Sequence, residues 1–127
     1  MISNSYDGMP PNFVSVVSNS GVQANVDAVA TLPAVVGKLC YMERILIAGV
    51  GAMAGSVVVL TITGLKGGTI SIPIAVPANP LQQVGPIYIP VFRQLPAAAL
   101  NTAIVATLPA LGVGSTHAIV TLIGRVG

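Results

Sequence analysis

Charge is what this sequence has least of. Lys38, Arg44, Lys66, Arg93 and Arg125 oppose Asp7, Asp27 and Glu43, so 6% of 127 residues are charged, against about a quarter in an ordinary soluble domain. Alone in water, such a chain exposes apolar patches and self-associates. Two environments accept it: lipid, or burial against partner subunits. The five basic residues are scattered from Lys38 to Arg125. They form no cluster that neutralises a run of phosphates, which excludes nucleic acid as a partner. Cysteine is nearly absent too. Cys40 stands alone, so no intrachain disulfide holds the fold and no cysteine-based metal centre exists. There is no Trp, and the aromatics are Tyr6, Phe13, Tyr41, Tyr88 and Phe92. That leaves little for stacking sugars; Tyr41, Tyr88 and Phe92 are read as core or subunit-interface side chains. Arg93 and Arg125 are read as solvated, with an interface hydrogen bond as the alternative role. The first residues, Met1 to Asp7, have neither a basic region nor an apolar run. The expectation is a chain without a secretory signal, made in a cytoplasm.

What is present in quantity is Val, Ile, Leu and Ala, interleaved with Thr, 14 Gly and 10 Pro, at a mean hydropathy of +0.89. β-branched residues favour extended chain and frequent Pro forbids long helices, so the domain is read as all-β. Lipid is the rival environment. Ile45 to Leu65 carries no charge over 21 residues (65 − 45 + 1) and holds Gly51-Ala52-Met53-Ala54-Gly55, a helix-packing GxxxG pattern. Within it, however, Val59-Leu60-Thr61-Ile62-Thr63 alternates with a period of two. That period marks a strand with one buried face, and the Pro-punctuated stretches that follow do not span a bilayer as helices.

Residues 1–25, rich in Ser, Asn and Gly, read as an arm with one short extended segment, Phe13 to Val17. Strands are expected at Val26–Leu32, Leu39–Ala48, Ser56–Thr63, Thr69–Val76, Ile87–Phe92, Thr102–Leu108 and His117–Ile123. Gly64-Leu65-Lys66-Gly67-Gly68 makes a hairpin of the Ser56 and Thr69 strands, with Pro73 marking an edge or a bulge. Pro109 to Gly114 is read as the turn of a second hairpin. The hexapeptide Val29-Ala30-Thr31-Leu32-Pro33-Ala34 recurs unchanged at Val105 to Ala110. In so Ala- and Val-rich a chain, with no solenoid period, the recurrence is read as coincidence. Charge is uneven along the chain: Asp7 and Asp27 give residues 1–37 a net −2, while five basic groups and Glu43 give residues 38–127 a net +4. Attraction between an acidic arm and a basic body of neighbouring subunits is one reading of this; accident is the plainer one.

Candidate chemistry is thin. Gly49-Val50-Gly51-Ala52-Met53-Ala54 matches a dinucleotide fingerprint, but the continuation is a strand and no acid follows Glu43. Helix and acid are both required to hold the pyrophosphate and ribose, so the match is discounted. His117 is the single histidine. A Cys40–His117 nucleophilic pair is weighed against the simpler roles of buried thiol and strand-end imidazole, and the simpler roles are preferred. No catalytic, cofactor-binding or metal residue is assigned.

Val57-Val58-Val59-Leu60-Thr61-Ile62-Thr63-Gly64-Leu65-Lys66-Gly67-Gly68-Thr69, with the stretch from Leu95-Pro96-Ala97 through Asn101-Thr102-Ala103-Ile104 to Leu108-Pro109-Ala110-Leu111-Gly112, resembles small all-β virion proteins of tailed bacteriophages, in particular capsid decoration (cement) proteins. The resemblance covers residues 39–124. It implies a symmetric oligomer, often a trimer, seated where major capsid protein subunits meet, and it implies no catalytic residues. The sequence-level expectation is therefore an antiparallel β-sandwich, jelly-roll-like, with an N-terminal arm and leading strand over 1–37 and the sandwich body over 38–127. The expected role is a non-enzymatic, cofactor-free cement protein on the virion's outer capsid surface, made in the host cytoplasm. It acts as a homotrimer bound to the major capsid protein, with no nucleic-acid or membrane partner. The alternative role is a tail or head-fibre domain gripping a host surface, which the small, bland candidate loops Ala78–Gly85 and Gly112–Thr116 disfavour. A small membrane protein ranks third and an enzyme last.

Overall fold

A computed structural model describes residues 14–78 and 83–127. The expected arm up to Phe13 lies outside the described residues, as do the middle of the Ala78–Gly85 loop and the side chains of Phe92 and Arg93. Among the described residues there is no helix. The chain forms strands β1 (Val14–Asn19), β2 (Ala28–Leu32), β3 (Cys40–Val50), β4 (Ser56–Thr63), β5 (Ile70–Val76), β6 (Gln83–Pro96), β7 (Ile104–Leu108) and β8 (His117–Val126). They make two four-stranded sheets, ordered β1-β8-β3-β6 and β2-β7-β4-β5. Every neighbouring pair is antiparallel. The two sheets face each other as a β-sandwich.

Alternation decides which side chains meet between the sheets. Leu60 and Ile62 of β4 point inward while Thr61 and Thr63 point outward. In β8, Ala118, Val120, Leu122, Gly124 and Val126 are buried, and Ile119, Thr121, Ile123 and Arg125 form the opposite face. In β3 the buried set is Cys40 and Met42, then Ile45 and Ile47, a step of three in the middle. The ladders to both β6 and β8 shift register between Met42 and Arg44. A bulge at that point takes up the extra residue and restores the apolar face to the core. The core is aliphatic throughout, built on Leu32, Met42, Ile45, Ile47, Leu60, Ile62, Ile104, Leu108, Val120 and Leu122.

The hairpin at Gly64–Gly68 is present, joining β4 to β5. The second expected hairpin is not. β7 belongs to one sheet and β8 to the other, so residues 109–116 cross the sandwich instead of turning back on it. β6 is also longer than the Ile87–Phe92 reading. Pro86, Pro90 and Pro96 do not break it because β6 is an edge strand, whose outer side needs no amide donors. The portion of the expected arm from Val14 to Asn19 is a sheet strand paired to β8.

The repeated hexapeptides are neighbours. β2 and β7 pair with Val29 opposite Thr107, Ala30 opposite Ala106 and Thr31 opposite Val105. Two copies of Val-Ala-Thr thus run antiparallel about a local two-fold through the alanine pair.

The sandwich has two distinct ends. One carries residues 33–39, 64–69 and 97–103 together with Val14 and Gly127. There Leu39 and Gly127 exchange backbone hydrogen bonds of 3.0 Å in both directions. The other end carries residues 20–27, 51–55 and 109–116. Asn25 Oδ1 accepts from Gly112 N and Asp27 Oδ1 from Ala110 N, each at 3.1 Å. Asp27, one of the two charges of the acidic arm, is thus spent inside its own subunit.

Candidate functional site

The outward faces of the two sheets differ in kind. On the β2-β7-β4-β5 sheet the outward side chains are Val29, Thr31, Val105, Thr107, Val57, Val59, Thr61, Thr63, Ser71, Pro73 and Ala75. None is charged. Val57 is 66% exposed, Val29 46% and Val59 43%. The ladder sets Val57 opposite Ala75 and Val59 opposite Pro73, so the exposed valines merge with further apolar surface on β5. A flat face of valine, threonine, alanine and proline gives water few strong hydrogen-bonding groups to solvate. Its β-branched side chains lose little rotamer freedom when covered.

The outward face of the β1-β8-β3-β6 sheet holds Glu43, Arg44 and Arg125. Arg125 Nε lies 2.8 Å from Glu43 Oε2, with both side chains mostly shielded at 13% and 15% exposure. The contact is close but the N–H is not aligned as a hydrogen bond, so it acts as Coulombic attraction. Gln94 Nε2 donates to the same Glu43 oxygen at 3.0 Å. Arg44 Nη1 donates to the Tyr88 hydroxyl at 3.2 Å. The β3 bulge is what brings this about: it seats Glu43 and Arg44 side by side, one turned to Arg125 and the other to Tyr88. The same face sets Ser15 and Tyr41 opposite Arg125, with Val17, Ile123, Leu46 and Thr121 farther along the sheet. Arg125, read as solvated, is instead paired within its subunit.

Between β3, β6 and β8 lies an open groove of about 180 Å³, lined by Ala48, Gly49, Val50, Gln83, His117 and Ile119. It is smaller than the roughly 300–1,000 Å³ of ordinary ligand pockets. His117 Nδ1 is 2.8 Å from Thr116 Oγ1, and the groove offers no carboxylate to polarise the ring. Cys40 and His117 are not a pair. Cys40 sits opposite Val126 at one end of the β3–β8 ladder and His117 opposite Val50 at the other, about 30 Å of strand apart at 3.3 Å per residue. Gly49 to Ala54 runs off the end of β3 into the crossing to β4, so no helix follows the fingerprint. Among the described residues no group of three His, Cys, Asp or Glu comes together. No helix among them is long and apolar enough to cross a membrane.

Missed by sequence reading are the ends of the sandwich. Val22, Val26, Met53 and Val113 are 59%, 51%, 66% and 74% exposed at the end away from Gly127. Met53 N donates to Val113 O at 2.9 Å, so these tips belong to one surface. Val22, Met53 and Val113 sit among small residues, where an isolated apolar residue carries no periodic signal, and Val26, read as the start of a strand, lies in the loop before β2. Compared with known protein families, curated proteins and solved structures, the chain matches none.

Proposed function

We propose that this chain is a structural virion protein of the capsid-decoration type, which binds the outer capsid surface and ties neighbouring major capsid protein subunits together as a homotrimer. The observation that carries this reading is the uncharged outward face of β2, β7, β4 and β5, with Val29, Val57 and Val59 open to solvent. An uncharged sheet face with exposed valines is of the kind that partner proteins cover. The strand orders support a jelly roll, the eight-stranded, two-Greek-key sandwich that viral capsid and lectin domains use. Fold alone assigns no role; the uncharged face is what supports this one. Stiff, pre-ordered side chains suit a contact repeated by symmetry, in which many modest interfaces sum to a strong tie.

A second reading, a tail or head-fibre attachment domain, draws on the exposed tips Val22, Val26, Met53 and Val113 at one end. They are aliphatic, without the aromatic faces that hold sugars. The two readings separate in one experiment. The chain and its Val57→Lys/Val59→Lys variant are sedimented with phage heads stripped of decoration protein. The expected result is that the wild type co-sediments with the heads and the variant stays in the supernatant with an unchanged melting temperature. Equal binding by both, or none by the wild type, overturns the cement reading. Loss of binding on Met53→Lys/Val113→Lys instead would move the contact to the loop end.

A further inference from the structure

We propose that the free edge of β1 pairs with the β1 edge of a second copy, antiparallel about Val17, so that two sheets become one across a two-fold axis. The sandwich has four strand edges, on β1 and β6 of one sheet and β2 and β5 of the other. Three are blunted. β5 carries Pro73 and β6 carries Pro86, Pro90 and Pro96, residues that leave gaps in any ladder added from outside. On β2, Thr31 N already donates to Ser18 Oγ at 3.0 Å.

β1 has none of these devices. Its sequence Val14-Ser15-Val16-Val17-Ser18-Asn19 contains no proline and no charge. Val14 and Val17 are 59% and 65% exposed. The phase of its hydrogen bonds is fixed by Ser20, whose N–H donates to Val120 O at 2.9 Å and which continues the β1–β8 register. In an antiparallel ladder the direction alternates, so Val14, Val16 and Ser18 direct their backbone groups to β8. Ser15, Val17 and Asn19 direct theirs away from it. An unpaired row of this kind is a template for another strand.

The row is also self-complementary. A two-fold at Val17 sets Val17 against its own copy and Ser15 against Asn19 of the second chain, and the outward amides and carbonyls of all three residues find partners. The central pair is β-branched on β-branched, a favourable cross-strand contact, and no like charges oppose. On the outward face Val17 lies beside Ile123 of β8, so the contact carries an aliphatic stripe unbroken from one subunit to the next. Such a contact is isologous and closes on itself. It joins chains in twos and therefore differs from any three-fold contact. In a trimeric assembly it is what would link one trimer to the next.

Light scattering after size exclusion tests it on the full chain. The expected wild-type mass is an even multiple of the 12.7 kDa chain. Val17→Pro removes one outward N–H and leaves the β8 ladder intact; its expected mass is half that of the wild type at an unchanged β-sheet circular dichroism spectrum. Should Val17→Pro unfold, Val17→Cys decides. Under mild oxidation it should form a disulfide-linked dimer at least about tenfold faster than Val57→Cys, an equally exposed site on the other sheet, because pairing raises the local thiol concentration. An odd wild-type mass, an unchanged mass for folded Val17→Pro, or equal cross-linking at the two sites overturns the proposal. A plain trimer would leave the cement reading standing and remove this one.

Discussion

Ala30 and Ala106 lie opposite one another in the β2–β7 ladder, 1% and 0% exposed, at the centre of two antiparallel copies of Val-Ala-Thr. Each alanine sees what the other sees along its own sheet, a threonine on one side and a valine on the other. Both point into the space between the sheets and are buried in the core with Leu32, Leu60, Ile62, Ile104 and Leu108. The repeat thus acts as a small-residue row that sets how closely that part of the sandwich closes.

From this follows a pair of matched substitutions. Ala30→Leu and Ala106→Leu should each destabilise by about 1–3 kcal/mol through overpacking. The double variant should depart from the sum of the two, because the new side chains compete for one space. Urea midpoints of the three variants measure both quantities. Additive costs would mean that the two alanines occupy separate spaces.

Two glycines in one hairpin separate backbone strain from steric exclusion. Gly64 and Gly67 both adopt positive φ, +87° and +97°. A Cβ at Gly64 meets the carbonyl of Ala103, whereas one at Gly67 meets nothing within 4 Å. Gly67→Ala should cost about 1–2 kcal/mol, the left-handed penalty alone. Gly64→Ala should cost clearly more, with Ala103 and the β6–β7 connection displaced. Thermal melts and amide hydrogen exchange at Ala103 and Ile104 check the difference.

The Arg125–Glu43 contact should show the asymmetry of shielded ion pairs. Removing one partner strands the other with little water; replacing both by apolar groups of similar size does not. Glu43→Leu alone should destabilise by about 1–3 kcal/mol. Glu43→Leu/Arg125→Met should recover most of that loss. A double variant less stable than the single one would show that the pair contributes more than its desolvation costs.

Cys40 gives the fold a pH limit on the alkaline side. The thiol is buried and its Sγ donates to Pro33 O at 3.3 Å, and burial pushes its pKa up from the ordinary 9.0. The folded state therefore keeps the proton after the unfolded state has lost it. The stabilisation is fully present below pH 9.0 and is lost as pH rises through the raised value. Urea midpoints between neutral and strongly alkaline pH should fall more steeply for the wild type than for Cys40→Val. The native thiol should also stay unreactive to disulfide reagents until the protein unfolds.

Much of the sandwich is legible in the chain because its parts are local. The alternation Leu60-Thr61-Ile62-Thr63 ending in Gly64 gives both the strand and the turn of the β4–β5 hairpin. The step from Met42 to Ile45 marks the β3 bulge to anyone counting apolar positions. Which sheet a strand joins is another matter. β7 and β8 are equally aliphatic, and the loop between them serves as well for a crossing as for a turn. The choice depends on β2 and β4, which flank β7, and on β1 and β3, which flank β8, all far away in sequence. In the sequence β1 reads only as a short extended segment of an arm, Phe13 to Val17, because the serines and asparagine around it look like loop residues. Here the hydroxyls of Ser18 and Ser20 bond the amides of Thr31 and Val120, each at 3.0 Å, which is sheet-edge work done by side chains. The surfaces were least legible. That Glu43, Arg44 and Arg125 share one face while the other sheet has none depends on pairing across eighty residues.

The Leu39–Gly127 bonds hold the last residue at the pole where Val14 begins β1 and where Lys38 and Lys66 lie. Anything that leads into Val14 or is appended after Gly127 must leave from that pole. The valine- and methionine-tipped loops lie at the opposite pole. A fluorophore carried at Val14 and another after Gly127 would therefore report on the same side of the molecule. Two such labels on one chain would sit within a few strand widths of each other, and a label meant for the far pole belongs in the loops themselves.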